Sequence, residues 1–187
     1  MESLKVLNQS EVNDLYEVFQ HLVTVMNKYS IKWCCSGGTL LGAVRNGGLI
    51  LYDDDIDITI DRHDVETLFW LSQIVECRGK YKLKRIGKYI KLYYNTIFID
   101  IFILDGNEYP QLHWKSYNFY DDELYPCKIS NFGLIQVNIP NKWEEYLNRT
   151  MPEWDKYAVI YNHRTKGKKK ISFDDQPELL KPYLPEV

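Results

Sequence analysis

The most constraining stretch of this chain is Asp53-Asp54-Asp55-Ile56-Asp57-Ile58-Thr59-Ile60-Asp61, which places four aspartates within five positions and then alternates them with isoleucine. An alternation of period two describes a strand with one apolar and one acidic face. Asp55 and Asp57 then point the same way, and Asp53 joins them if the strand extends that far. Like charges held this close are costly without a cation. Their oxygen donors suit Mg²⁺ or Mn²⁺ better than zinc. A solvated loop or a calcium loop is the plainer reading of an acidic run. Ile56 and Ile58 argue instead for a buried strand, and no EF-hand spacing of Gly and Glu follows.

A second feature precedes the acidic run. Ile31 to Ser36 reads as a short strand entering Gly37-Gly38, and Thr39 to Val44 is helix-compatible. A strand, glycine turn and helix start direct backbone N–H groups at an anion. Gly37, Gly38 and Thr39 are therefore candidate phosphate contacts, with Ser36 offering a further hydroxyl. Arg45, a permanently charged planar donor, suits either phosphate or a salt bridge to the nearby aspartates.

The third feature lies in Thr96 to Leu104. Ile97, Ile99, Ile101 and Ile103 form one face, with Phe98, Asp100, Phe102 and Leu104 on the other. A carboxylate inside such an apolar run is expensive unless paired or metal-bound, which makes Asp100 a third candidate ligand.

Together the run GGTLLGAVRNGGLILYDDDIDITI and the later FIDIFILD resemble the LicD family, which includes fukutin and fukutin-related protein. The likeness is dense from Ser36 to Ile60. It continues more weakly through Asp100 to VNIPNKWEEYLNRTMPEW, where Arg149-Thr150-Met151-Pro152 departs from the family's Tyr-Gly. The resemblance implies a nucleotidyltransferase fold, α/β (α+β), with a mixed, largely antiparallel sheet flanked by helices. It also implies Asp55, Asp57 and Asp100 as the metal site, with Asp100 able to act as general base. The activity implied is transfer of a phosphorylated alcohol, phosphocholine or ribitol phosphate, from CDP-choline, CDP-ribitol or a similar donor. A carbohydrate hydroxyl accepts it and CMP leaves. An NTP-consuming nucleotidyl transfer within the same superfamily is the alternative. A non-catalytic nucleotide-binding module is a second, which the retention of all three carboxylates disfavours.

Composition narrows the remaining choices. The 187 residues suit one domain, with an extended terminus from about residue 171. With 23 basic and 26 acidic residues the net charge is −3, so no nucleic-acid partner is expected. No apolar run approaches a membrane span and the first residues lack a signal-peptide core, so the expected location is cytoplasmic. Cys34, Cys35, Cys77 and Cys127 have no zinc-ligand spacing and read as reduced thiols.

Other elements follow from spacing. Val12, Leu15, Tyr16, Phe19, Leu22, Val23 and Met26 predict an amphipathic helix over 11–29, capped by Asn8 or Ser10 and covering the sheet. Asp64 is expected to cap a second helix. Arg78 to Lys91, interleaved with apolar residues around Gly87-Lys88, predicts a hairpin with a wet face, and Lys91 is its candidate for donor phosphates. The aromatic segment 107–124, with His113 and Trp114, reads as a packed connection. Leu134 to Ile139 predicts a strand, and Trp143, Tyr146 and Leu147 a helix face. Arg164, Lys166 and Lys168 to Lys170 read as a solvated tail.

Overall fold

In the computed structural model the described residues are 6–73, 80–87, 89–109, 117–120, 122–162 and 167–186. Cys77, Arg78, Lys88, His113, Trp114, Arg164 and Lys166 lie outside them.

The first helix, α1 (Gln9–Lys28), buries every residue of its predicted stripe, and Val18 and Val25 with them. Its start is closed reciprocally. The Asn8 side chain accepts from the Glu11 N–H at 3.0 Å, and the Glu11 carboxylate accepts from the Asn8 N–H at 3.0 Å.

The central sheet contains β1 (Trp33–Cys35), β2 (Ile56–Asp61), β3 (Lys82–Ile86), β4 (Tyr89–Tyr94) and β5 (Ile97–Leu104), in the order β1-β2-β5-β4-β3. Only the β2–β5 pair is parallel; β1–β2, β4–β5 and β3–β4 are antiparallel. The predicted mixed, largely antiparallel sheet is therefore the one observed. Ile97, Ile99, Ile101 and Ile103 are buried, and α1 lies against β4 and β5. The Asn95-Thr96 turn between those strands is tied to α1. Asn95 Nδ2 donates to Asp14 at 2.8 Å and the Thr96 hydroxyl to Glu11 at 3.3 Å. With the isoleucine face in the core, Phe98, Asp100 and Phe102 are left on the opposite face.

Between β1 and β2 the chain makes the short helix α2 (Gly37–Leu41) and then a wider turn, in which the Gly47 N–H reaches the Gly42 carbonyl at 2.8 Å. That i to i−5 spacing is a π-type turn. Helix α3 (Val65–Leu71) follows β2. Asp64 takes the N-cap position of α3 as expected but makes no side-chain capping bond there; Asp61 caps the preceding 3-10 turn by accepting the His63 N–H at 2.9 Å. Asp64 instead accepts the Lys32 N–H at 2.8 Å, because α3 starts only after that turn has been closed.

Two hairpins complete the chain. The predicted strand near Leu134 is β7 (Ile135–Ile139), but it pairs with an unpredicted β6 (Lys128–Phe132). Phe132 of β6 packs edge-on against Phe19 of α1, and Asn138 of β7 donates to the Trp33 carbonyl at 3.2 Å. Helix α4 (Trp143–Thr150) follows as expected, and Tyr109, Phe119 and Tyr146 stack into the packed connection. A buried ion pair, Arg149 to Glu123 at 2.5 Å, closes it.

Where a solvated tail was expected, β8 (Tyr157–Asn162) and β9 (Gly167–Ser172) form a second hairpin. Lys168, Lys169 and Lys170 are exposed, so β9 shows no alternation and its strand character was hidden. The terminus beyond it folds back. Phe173 and Leu179 are buried, and Tyr183 bridges to Leu49. Among the described residues no helix is long and apolar enough to cross a membrane.

Candidate metal centre

Parallel pairing of β2 with β5 sets Asp57 directly opposite Asp100. Asp55, just before β2, completes a group in which one carboxylate oxygen from each residue lies within 4.8 Å of the other two. Like charges directly opposed across strands are destabilising. Here the cost is visible in the protonation equilibria. Burial, then Asp55 and Asp53, hold the Asp57 carboxyl well above the usual carboxylate range, although a hydrogen bond from the Gly38 N–H works the other way. Burial also raises Asp100, opposed by Lys91. An all-oxygen, over-negative cluster has the donor chemistry of a divalent hard cation. The residues present therefore fit such an ion, with Asp55, Asp57 and Asp100 as the groups that would hold it.

The glycine turn is built against this cluster. The Gly38 N–H donates to Asp57 Oδ2 at 3.2 Å. A Cβ on Gly37, whose φ is +50°, would stand 2.3 Å from the same oxygen. A Cβ on Gly38 would stand 2.0 Å from Asp53 Oδ2. Only glycine allows both carboxylates this close to the backbone. Thr39 is buried, and its hydroxyl accepts the Asp57 N–H at 2.8 Å, pinning the start of α2 to β2. The Ser36 hydroxyl is buried and has no hydrogen-bond partner among the described residues.

Asp53 lies beside the three-carboxylate group rather than within it. Its carboxyl is pushed up to about 8 by burial and by Asp55 and Asp54, against the pull of Arg45. Arg45 itself is engaged elsewhere. Its Nε donates to Asn46 at 2.8 Å, its Nη1 donates to the Trp154 carbonyl at 3.1 Å, and its guanidinium lies 4.9 Å over the Phe173 ring. Arg45 thus fastens the turn after α2 to the C-terminal segment, in a role the sequence did not reveal because Trp154 and Phe173 are more than a hundred positions away.

Lys91 sits on β4 opposite Asp100, with Nζ 2.7 Å from Oδ1. The sequence did carry a signal for this pair. A two-residue Asn95-Thr96 turn aligns Tyr94 with Ile97 and so, by counting, Lys91 with Asp100. Cys34 and Cys35 are buried and free, and Cys127 is partly buried and free.

Residues 30–142, which contain every one of these site residues, match the family described as LicD/FKTN/FKRP, nucleotidyltransferase domain. The chain belongs to this family. Among its relatives, an uncharacterized protein of Rickettsia typhi is 36% identical, with 96% of this chain and 61% of that protein aligned. The lipopolysaccharide cholinephosphotransferase LicD of Haemophilus influenzae is 27% identical over 48% of this chain and 41% of its own length. The mouse ribitol 5-phosphate transferase FKRP is 25% identical over 71% of this chain and 30% of its own. The chain thus spans less than two thirds of the length of each of these three relatives.

Proposed function

We propose that this LicD-family chain is a metal-dependent transferase that moves a phosphorylated alcohol, phosphocholine or ribitol phosphate in type, from a CDP-linked donor to a glycan hydroxyl. The supporting observation is the convergence of Asp55, Asp57 and Asp100 beside a glycine turn that presents backbone to the same space. The names of the Haemophilus influenzae and mouse relatives favour an alcohol-phosphate donor over an NTP.

In this reading the acceptor oxygen attacks the phosphorus that carries the alcohol. The bond from that phosphorus to the oxygen bridging to CMP breaks, and CMP departs with the electron pair. The acceptor's proton passes to a carboxylate oxygen, for which Asp100 is the candidate. Asp55, Asp57 and Asp100 would hold a divalent ion, with Asp53 beside them as a further candidate ligand, and the ion would neutralise charge on the donor's phosphate oxygens. Gly37 and Gly38 let the chain approach the donor phosphate, and the buried Ser36 hydroxyl offers it a donor. Thr39 holds that turn in place, Arg45 supports its far side, and Lys91 contributes positive charge on the donor side.

A thermal-shift screen with Mg²⁺ against CDP-choline, CDP-ribitol, CDP-glycerol and the four NTPs tests the reading. A ligand at a hundred times its dissociation constant stabilises by about 2.7 kcal/mol, so the donor class shows as the largest rise in melting temperature. A rise with NTPs alone would replace this reading by nucleotidyl transfer. No rise with any of the seven would indicate a protein that does not bind nucleotides.

A further inference from the structure

Across one face of the central sheet the residues Lys84, Lys91, Asp100 and Asp57 stand opposite one another on β3, β4, β5 and β2 in turn. Charge along this row runs positive, positive, negative, negative. Residues directly opposed on neighbouring strands share a face, so the row is continuous. The two lysines differ sharply in their surroundings. Lys84 is exposed. The Lys91 side chain is 14% exposed, and its Nζ is 2.7 Å from Asp100 Oδ1 and 3.4 Å from the centroid of the Phe98 ring. Phe98 shares the Asp100 face by strand alternation. The ammonium group is thus clamped between a carboxylate and a π-face, both of which favour a cation.

Resting on the metal reading above, we infer that Lys91 is the built-in counter-cation of the carboxylate cluster and sets its metal affinity by competing with the divalent ion for Asp100. Without the ion, the Lys91 ammonium offsets one of the opposed carboxylates and keeps the cluster folded. When a divalent ion arrives, it meets a cluster already partly neutralised, and its own charge is repelled by the ammonium beside Asp100. Binding is weaker than three free carboxylates would give. The ammonium, no longer needed to neutralise Asp100, is then attracted to the donor's phosphate oxygens. An ion that binds loosely until the donor phosphates complete its coordination is the consequence for this site.

The test is isothermal titration of Mn²⁺ and Mg²⁺ into the full chain, with melting curves alongside. The variants are Lys91→Met, Lys91→Gln, Lys91→Arg and Lys84→Met. We expect K91M and K91Q to bind the ion about tenfold more tightly than the wild type, because a unit charge at contact distance has been removed. K91R, which keeps the charge, and K84M, whose charge sits one strand further away, stay within about threefold. The metal-free K91M protein melts lower than the wild type and gains more from Mg²⁺. If K91M does not fold, K91Q carries the same comparison. Wild-type binding with K91M and K91Q equal to it or weaker overturns this inference and leaves the metal site standing. Absence of ion binding by the wild type, with Asp57→Asn indistinguishable from it, overturns the metal reading and this inference together.

Discussion

Asp57 and Asp100 stand at the same level of the β2–β5 parallel pair, two carboxylates facing one another across adjacent strands. Each has a compensating partner among the described residues. Asp57 accepts the Gly38 N–H at 3.2 Å, and Asp100 is paired to Lys91 at 2.7 Å. Asp55, Asp57 and Asp100 each bring a carboxylate oxygen within 4.8 Å of the other two. Like charges held this close are costly, which is the chemistry behind the candidate cation site.

Asp57→Asn is expected to abolish transfer while preserving the fold. Loss of one ligand from a preorganised electrostatic site costs on the order of a hundredfold to a thousandfold or more in kcat. Asparagine still offers an oxygen to the Gly38 N–H, and one of two opposed charges is gone. The metal-free melting temperature should therefore rise by about 1–3 °C. Turnover with the donor identified by the screen, together with a circular-dichroism melt, checks both halves. Unimpaired turnover would remove Asp57 from the site.

Gly37→Ala and Gly47→Ala separate backbone strain from damage to the site. Both glycines have positive φ, +50° and +78°. A Cβ at Gly47 meets nothing within 4 Å, whereas one at Gly37 meets Asp57 Oδ2 at 2.3 Å. Each substitution should cost about 1 kcal/mol of stability from conformation alone. Only G37A should also weaken Mn²⁺ binding, by displacing the Asp57 carboxylate. Urea midpoints and a Mn²⁺ titration on the two variants distinguish the effects.

Arg45→Lys should destabilise the chain by about 1–2 kcal/mol, since lysine cannot stack on Phe173 while also reaching Asn46 and the Trp154 carbonyl. The loss should expose the β8–β9 hairpin first, because Phe173 is the link. Hydrogen exchange is expected to speed up at residues 157–162 and 167–172, with the β2–β5 pair retaining its protection.

Tyr16 predicts a stability change in alkali. Its hydroxyl donates to the Tyr183 carbonyl at 3.1 Å and accepts the Leu49 N–H at 3.0 Å, joining α1 to the returning terminus. Burial pushes its phenol up to about 12, with the Leu49 N–H opposing. The folded state thus holds the proton more tightly than the unfolded chain, whose phenol titrates near 10. The stabilisation is complete below pH ~10 and is lost as the pH rises through about 12. Tyr16→Phe has no such proton. The stability gap between wild type and Y16F should therefore shrink by about 2 kcal/mol between pH 9 and pH 12, measured by urea unfolding.

Local pattern made several elements of this protein readable. The α1 stripe and the isoleucine faces of β2 and β5 are buried as the periodicity announces, and in the Gly87 hairpin Ile90 and Leu92 of β4 are buried while β3 stays at the surface. The hairpin of β8 and β9 escaped because its second strand opens with exposed Lys168 to Lys170, which do not alternate, although β8 buries Ala158 and Ile160 on one face. β6 also escaped, since of Lys128 to Phe132 only Phe132, at the strand's end, is buried.

The chemistry of the site was written in the chain as residue types: an acidic strand, a glycine turn and one carboxylate in an apolar run. Their meeting was not. That Asp57 falls opposite Asp100 depends on the register of two strands separated by some forty residues, and register between distant strands is set by packing of both faces at once. That Arg45 reaches Trp154 and Phe173 depends on where the chain's last segment folds back, which no local spacing encodes. Short-range periodicity determined which side chains face inward on each element. Long-range burial alone decided which of those faces came together, because the free energy that selects the arrangement is shared among all of them.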